Sequence, residues 1–425
     1  MRICIVSIQW IPIITGGGGV AVLNLVKELA KNNQITVYTF GQSGLPEKEE
    51  MMIDGSRINV VRVFTSDSDK ISTPFDGTKE QEIRRLLEFK SNLLKILDCD
   101  EFDVIHLHGH FVVPSMAKNL KSKGCRAKII STIHAFESII ELEKGEYSSR
   151  KNVYETIVSM ERDSLNFSDV VTIASRSLLR MIEKIHGEKY KKRIKIVPIG
   201  ISDRFFKPSN REDVLKIRKK FGENAFLIFN LNRIDPSKGI HYILLALDLL
   251  GEKVKKNIAL VIAGKFEKRN IEYLKYLEEL KQKIENKYDN MRIYVLRNIP
   301  ERMKINLYDA SDIFVMASPS EPFGITILES LARGLPVIVT DSEGPREIFK
   351  IYEYLDKPFI EIRGGVMVRF ASPERRIENL SLAIIYALQE YKRLRKMAKD
   401  MGQEIKKRYS WKSIATFFVE KIYRM

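Results

Sequence analysis

The sequence predicts an α/β protein with two doubly wound, mostly parallel sheets, and three observations carry that expectation. Short apolar runs alternate with amphipathic stretches along the chain, the mark of strands separated by helices. The alternation completes one pass by Val197 and starts again at Leu227. With 425 residues and 44% hydrophobic content, the chain is long enough to give each pass its own core.

The first strand is expected at Ile3–Ile8, followed by a helix over Val20–Lys31 with Val22, Leu25, Val26 and Leu29 on one face. Strands follow at Gln34–Thr39 and Asn59–Phe64. Glu80–Leu97 then reads as an amphipathic helix carrying Ile83, Leu86, Leu87, Leu94 and Leu97. Strands at Val104–Leu107, Lys128–Ile133, Val170–Ala174 and Lys195–Val197 complete the first sheet. The second sheet is expected from Leu227–Leu231, Ala259–Ala263, Arg292–Leu296, Ile313–Met316, Val337–Thr340 and Gly365–Val368.

Composition narrows the function classes. The run Met1–Ile8 reads as a buried strand rather than a signal peptide, and no stretch nears the roughly eighteen apolar residues of a membrane span. Three scattered cysteines lack metal-ligand spacing, so a cytoplasmic protein is expected. The formal charge of +16 is interleaved with acids, and no nucleic-acid module or basic-aromatic stripe accompanies it. Nucleic acid is therefore the weakest account of the charge. A solvated surface is the default, with peripheral contact at the inner membrane face as the alternative.

Two segments carry chemistry. Glu321 to Glu329 reads E-P-F-G-I-T-I-L-E, two carboxylates eight residues apart around a Pro-Phe-Gly turn. A strand and a small polar loop precede it, and a helix-forming tail follows. Free N–H groups at such a helix start, aided by the helix dipole, bind phosphate, while a carboxylate on each side accepts from hydroxyls. Phosphate plus hydroxyls suggests a nucleotide sugar. Leu227–Gly239 reads L-I-F-N-L-N-R-I-D-P-S-K-G, in which Arg233 and Lys238 rise from a strand end with turn chemistry between them.

Both segments resemble those of the retaining, nucleotide-sugar-dependent glycosyltransferases of family 4 (glycosyl transferases group 1), which have the GT-B fold. The first resembles that family's E-x7-E motif. The resemblance implies that Glu321 meets the donor sugar, Glu329 holds the ribose, and the amides of Gly324, Ile325 and Thr326 hold the diphosphate with Arg233 and Lys238. It further implies two Rossmann-like domains facing across a cleft. Ile196–Pro208 resembles the interdomain segment, with Ile199 where the family has Asn, and Arg408–Tyr423 resembles the closing helix. The expected domains are 1–198, with 408–425 packing back on it, and 199–407.

On the N-terminal side, Gly16-Gly17-Gly18-Gly19 fits a dinucleotide fingerprint only loosely, and Gln34–Phe40 ends without the acid that an NAD site needs. By resemblance, Gly16 and Gly17 approach the donor, with Gly18 extra. By the same resemblance, His134 matches the Thr-x-His strand end whose histidine borders the donor sugar and whose neighbouring backbone can assist departure of the diphosphate. His106, His108 and His110 alternate, a spacing that would suit a metal on one strand face. The strand is expected to finish near His106, so the three need not share a face, and cleft-lining roles are favoured. Arg233, Lys238 and a helix start supply the positive field, so neither a metal nor a cofactor is expected. A hydrolase-like pair of carboxylates is disfavoured, because Glu329 belongs on a helix facing the ribose.

Donor base and acceptor stay open at this level. The loops at Lys265–Asn270 and Arg297–Pro300 are expected to set the base, and Ser66–Thr78 and Ala135–Lys151 to wall an acceptor. A lipid-linked glycan and a soluble acceptor both fit.

Overall fold

Residues 1–15, 17–109, 111–134, 136–138, 151–266, 270–321, 323–353 and 355–424 are described in a computed structural model, and among them fifteen strands form two sheets. The chain divides into two units, Met1–Gly200 with Trp411–Met425, and Ile201–Ser410, each holding one sheet.

In the first unit the strands are β1 (Arg2–Ser7), β2 (Gln34–Phe40), β3 (Lys48–Ile53), β4 (Ser56–Val63), β5 (Val104–Gly109), β6 (Lys128–Ile133), β7 (Val170–Ile173) and β8 (Ile194–Ile196). Their spatial order is β3-β4-β2-β1-β5-β6-β7-β8, parallel except for β3 against β4. The second unit holds β9 (Phe226–Leu231), β10 (Ile258–Gly264), β11 (Met291–Arg297), β12 (Ile313–Met316), β13 (Val337–Thr340), β14 (Phe359–Ile362) and β15 (Gly365–Val368). Their order is β11-β10-β9-β12-β13-β15-β14, with only β14 and β15 antiparallel. Central strands such as β9 and β10 are buried along their whole length, which is why they read as unbroken apolar runs.

Both sheets are doubly wound about their first strand. From β1 the chain goes to β2 on one side and returns to β5 on the other, and β9 relates to β10 and β12 in the same way. Loops leaving the C-terminal ends of β1 and β5, or of β9 and β12, therefore diverge, and ligands bind at such switch points.

Two edge strands add to the sequence-based expectation. β3 is charged and half exposed, so its apolar signal is weak, and a two-residue turn at Asp54-Gly55, both at positive φ, returns the chain into β4. β14 is short and lies outside β15. One expectation is corrected: β5 does not finish near His106 but runs to Gly109, because its ladder with β6 continues to Gly109 opposite Ile133. His106 and His108 thus share a face, with ring centroids 3.9 Å apart. His110 lies outside the described residues.

The closing helix Trp411–Phe417 belongs to the first unit. Trp411, Ile414, Phe418 and Ile422 join Ile3, Val22, Leu25 and Leu29 in one core. Among the described residues, no helix is long and apolar enough to cross a membrane, and no group of three or more ligating side chains is placed to hold a metal ion.

Candidate functional site

The switch point of the second sheet brings the two sequence motifs together. After β9, Asp235 caps a single turn, Pro236–Lys238, by accepting from the Ser237 N–H at 3.0 Å and its hydroxyl at 2.6 Å. Burial tends to raise the Asp235 carboxyl, but the Ser237 hydrogen bonds and the charge of Arg233 hold it below the usual range. Gly239 follows at φ +62°, and a Cβ there would stand 2.1 Å from the Ala317 carbonyl oxygen. Only glycine allows this close approach between the loops after β9 and β12.

That approach sets Lys238 against the acidic motif. Lys238 Nζ lies 2.9 Å from Glu321 Oε2, with both side chains about one-seventh exposed (16% and 14%). Glu321 Oε1 accepts the Gly324 N–H at 3.1 Å, and the Gly344 N–H donates to the Glu321 carbonyl at 2.7 Å. Gly324, at φ +86°, turns the chain into helix Ile325–Ala332. The first-turn amides of that helix, Ile325 and Thr326 among them, have no partner within it. Arg233 is exposed on the same loop as Lys238. Pro322 lies outside the described residues.

Glu329 sits in the middle of this helix, 5% exposed. Burial pushes its carboxyl above the usual range, while Lys304 and Tyr308 act in the opposite direction. Lys304 Nζ is 2.6 Å from Glu329 Oε1, and the Tyr308 hydroxyl donates to Oε2 at 2.9 Å. Sequence reasoning missed both partners. Their signal was a Lys and a Tyr four apart on helix Glu301–Ala310, hence on one helix face. That pattern names no partner until the sheet order does.

The loops expected to meet the base are tied together. Asn298 accepts the Phe266 N–H at 3.2 Å through Oδ1 and donates its own N–H to the Gly264 carbonyl at 2.8 Å. Residues 267–269 of that expectation lie outside the described residues.

The first sheet's edge is of another kind. The His134 N–H donates to the Gly109 carbonyl at 3.1 Å, joining the ends of β6 and β5. Gly18 lies against the His134 imidazole, whereas Gly17 opens helix Gly17–Leu29 in open space. Gly16 lies outside the described residues, as does most of the Ala135–Lys151 wall. His106 is fully buried, with Nδ1 2.7 Å from the Tyr423 hydroxyl and Nε2 2.6 Å from Thr132 Oγ1. Burial, then the neighbouring His134, pull His106 from the usual 6.5 to about 3, and burial holds His108 well below that usual value. The Ser66–Thr78 wall is ordered by buried Arg85, which donates to Asp67 at 2.8 Å and to the Pro74 and Asp76 carbonyls at 2.9 Å.

Comparison with known proteins agrees with this architecture. A family model described as Glycosyl transferases group 1 matches residues 212–408, and one described as Glycosyltransferase Family 4 matches residues 15–205. An uncharacterized glycosyltransferase of Methanocaldococcus jannaschii is 29% identical over 422 residues, covering 98% of this chain and 96% of the relative. The sucrose-phosphate synthase of Thermosynechococcus elongatus aligns with a TM-score of 0.75 and 19% identity, over 100% of this chain and 98% of its own. HepE of Anabaena, solved in complex with UDP-glucose, aligns over 100% of both chains with a TM-score of 0.66 and 16% identity. These structures share the two-sheet architecture of the GT-B fold.

Proposed function

Because this chain belongs to the group 1, family 4 glycosyltransferases of GT-B fold and is a sugar-transferring enzyme, we propose a specific reaction for it. It moves a hexose from a nucleotide diphosphate sugar to a glycan, lipid-linked or small-molecule acceptor, with retention and without a metal. The observation that carries this reading is the linked set Lys238, Glu321 and Gly324 at the switch point of the second sheet.

The chemistry follows from the charges. Departure of a nucleoside diphosphate builds negative charge that preorganised donors must meet. Arg233, Lys238 and the amides of Ile325 and Thr326 supply those donors, joined by the Gly324 amide once Glu321 Oε1 releases it. In the free protein Lys238 and Glu321 satisfy one another. An arriving phosphate competes for the ammonium, and Glu321 is then free to accept from a sugar hydroxyl. Glu329 takes the ribose hydroxyls. The first unit is proposed to carry the acceptor, with Gly16, Gly17 and His134 taking part in transfer. The nucleotide sugar is substrate, and no resident cofactor is proposed. UDP-glucose in the HepE structure supports UDP as the first base to try.

The test is a screen of purified protein against UDP-, GDP- and ADP-sugars by thermal shift and slow donor hydrolysis. Lys238→Ala and Glu329→Ala serve as controls. Stabilisation by one nucleotide sugar, lost in both variants, is the expected result. Folded protein that responds to none of the three overturns the donor reading.

A further inference from the structure

Glu329 is a carboxylate in an unfavourable, buried place, and two neighbours favour its ionised form there. Desolvation disfavours the ionised form, and charge or hydrogen bonds directed at it restore that form. Both compensating groups come from one face of helix Glu301–Ala310: Lys304 at 2.6 Å from Oε1 and the Tyr308 hydroxyl at 2.9 Å from Oε2.

These two side chains are themselves held from behind. Tyr308 is fully buried among the rings of Phe205, Phe229 and Phe314, at centroid distances of 6.0, 5.0 and 5.6 Å. The Lys304 ammonium lies 5.1 Å from the centre of the Phe205 ring. Arg333 Nε donates to Asp309 at 2.7 Å and fixes the end of the same helix. Tyr308 cannot turn away without disturbing an aromatic core.

A carboxylate offers about four lone-pair directions, two on each oxygen. Lys304 and Tyr308 occupy one on each, leaving one on each for a ligand. Two acceptors held at the spacing of a single carboxylate match two adjacent hydroxyls. We propose that Lys304 and Tyr308 are positioning residues that orient Glu329 so that it reads the vicinal 2′- and 3′-hydroxyls of the donor ribose. This inference rests on the donor reading above and extends it to two residues that no motif includes.

The experiment compares ribose recognition with phosphate recognition in the full chain. Affinities for UDP, GDP and ADP, and for their 2′-deoxy forms, are measured by calorimetry between about pH 6 and pH 8. The best-bound diphosphate is expected to lose about tenfold or more on removal of its 2′-hydroxyl, the scale of a hydrogen bond to a charged group. In Lys304→Met that gap narrows to about twofold and closes further as the pH falls, while affinity for the 2′-deoxy form changes by less than about twofold. Lys304→Arg restores the gap, and Tyr308→Phe narrows it in part. A merely structural role would weaken both nucleotide forms together, and that result overturns the proposal. Should Lys304→Met fail to fold, Tyr308→Phe carries the same comparison. A gap intact in Lys304→Met but abolished in Glu329→Gln overturns the positioning role alone. Tight nucleotide binding with no gap in the unmodified protein also removes the ribose role of Glu329. Failure to bind any of the three diphosphates overturns the donor reading, and this inference with it.

Discussion

The two sheet edges are built on one topological plan but carry opposite electrostatics. At the second, Lys238 and Glu321 stand ion-paired and partly open to water. At the first, His106 and His108 are buried and neutral, held by hydroxyls and by ring contact. Charge near solvent can be exchanged for a ligand's charge at little desolvation cost, whereas a buried imidazole cannot accept a proton cheaply. The second edge is thus suited to hold an ionic ligand, and the first to keep a fixed, uncharged surface.

The largest effect that would break this contrast is chemical. Lys238→Ala is expected to cut sugar transfer by about 10²–10³-fold, the scale for removing one donor to a developing negative charge. Some stability is expected to be lost as well, about 1–3 kcal/mol, because Glu321 is left mostly buried without its cation. A steady-state assay beside thermal unfolding checks both halves. Loss of folding instead of rate would mean that the second edge is structural.

Acid separates the edges next. The folded pKa of His106 lies near 3, below the usual 6.5, so the unfolded chain binds more protons between those values. The stabilising contribution of His106 is therefore complete above about pH 6.5 and falls away towards about pH 3. His108 adds in the same direction. Both tryptophans, Trp10 and Trp411, lie in the core of the first unit, so their fluorescence reports that unit. Denaturant midpoints by tryptophan emission are expected to drop steadily below pH 6.5, and His108→Phe is expected to reduce the slope.

A third test concerns the loop contact that sets Lys238. Gly239→Ala places a Cβ at positive φ and 2.1 Å from a carbonyl oxygen, which costs about 1–3 kcal/mol and moves the cation. Donor affinity is expected to fall with the melting temperature. Smallest is Thr78→Ala, which removes the capping box of helix Lys79–Ile96 on the first unit. That costs about 1 kcal/mol, seen in unfolding and not in donor binding.

Much of the fold was legible because strand and helix signals are local. Val22, Leu25, Val26 and Leu29 fall on one helical face whatever surrounds them, and all four are buried. β3 escaped because a charged edge strand buries little, although Asp54-Gly55 marked its turn. The end of β5 escaped because a ladder's length depends on the partner strand.

The sequence by itself determined the alternation of elements, the turn chemistry at Asp235 and Gly324, and the carboxylates and cations of the candidate site. Only the tertiary structure decided who meets whom. Lys238 reaches Glu321 across 83 residues, and Lys304 reaches Glu329 across 25. Such partners follow from the order of β9 and β12 in the sheet, and no periodicity within a single element encodes that order. Backbone geometry reads a few residues at a time, while pairing a buried charge requires the whole sheet.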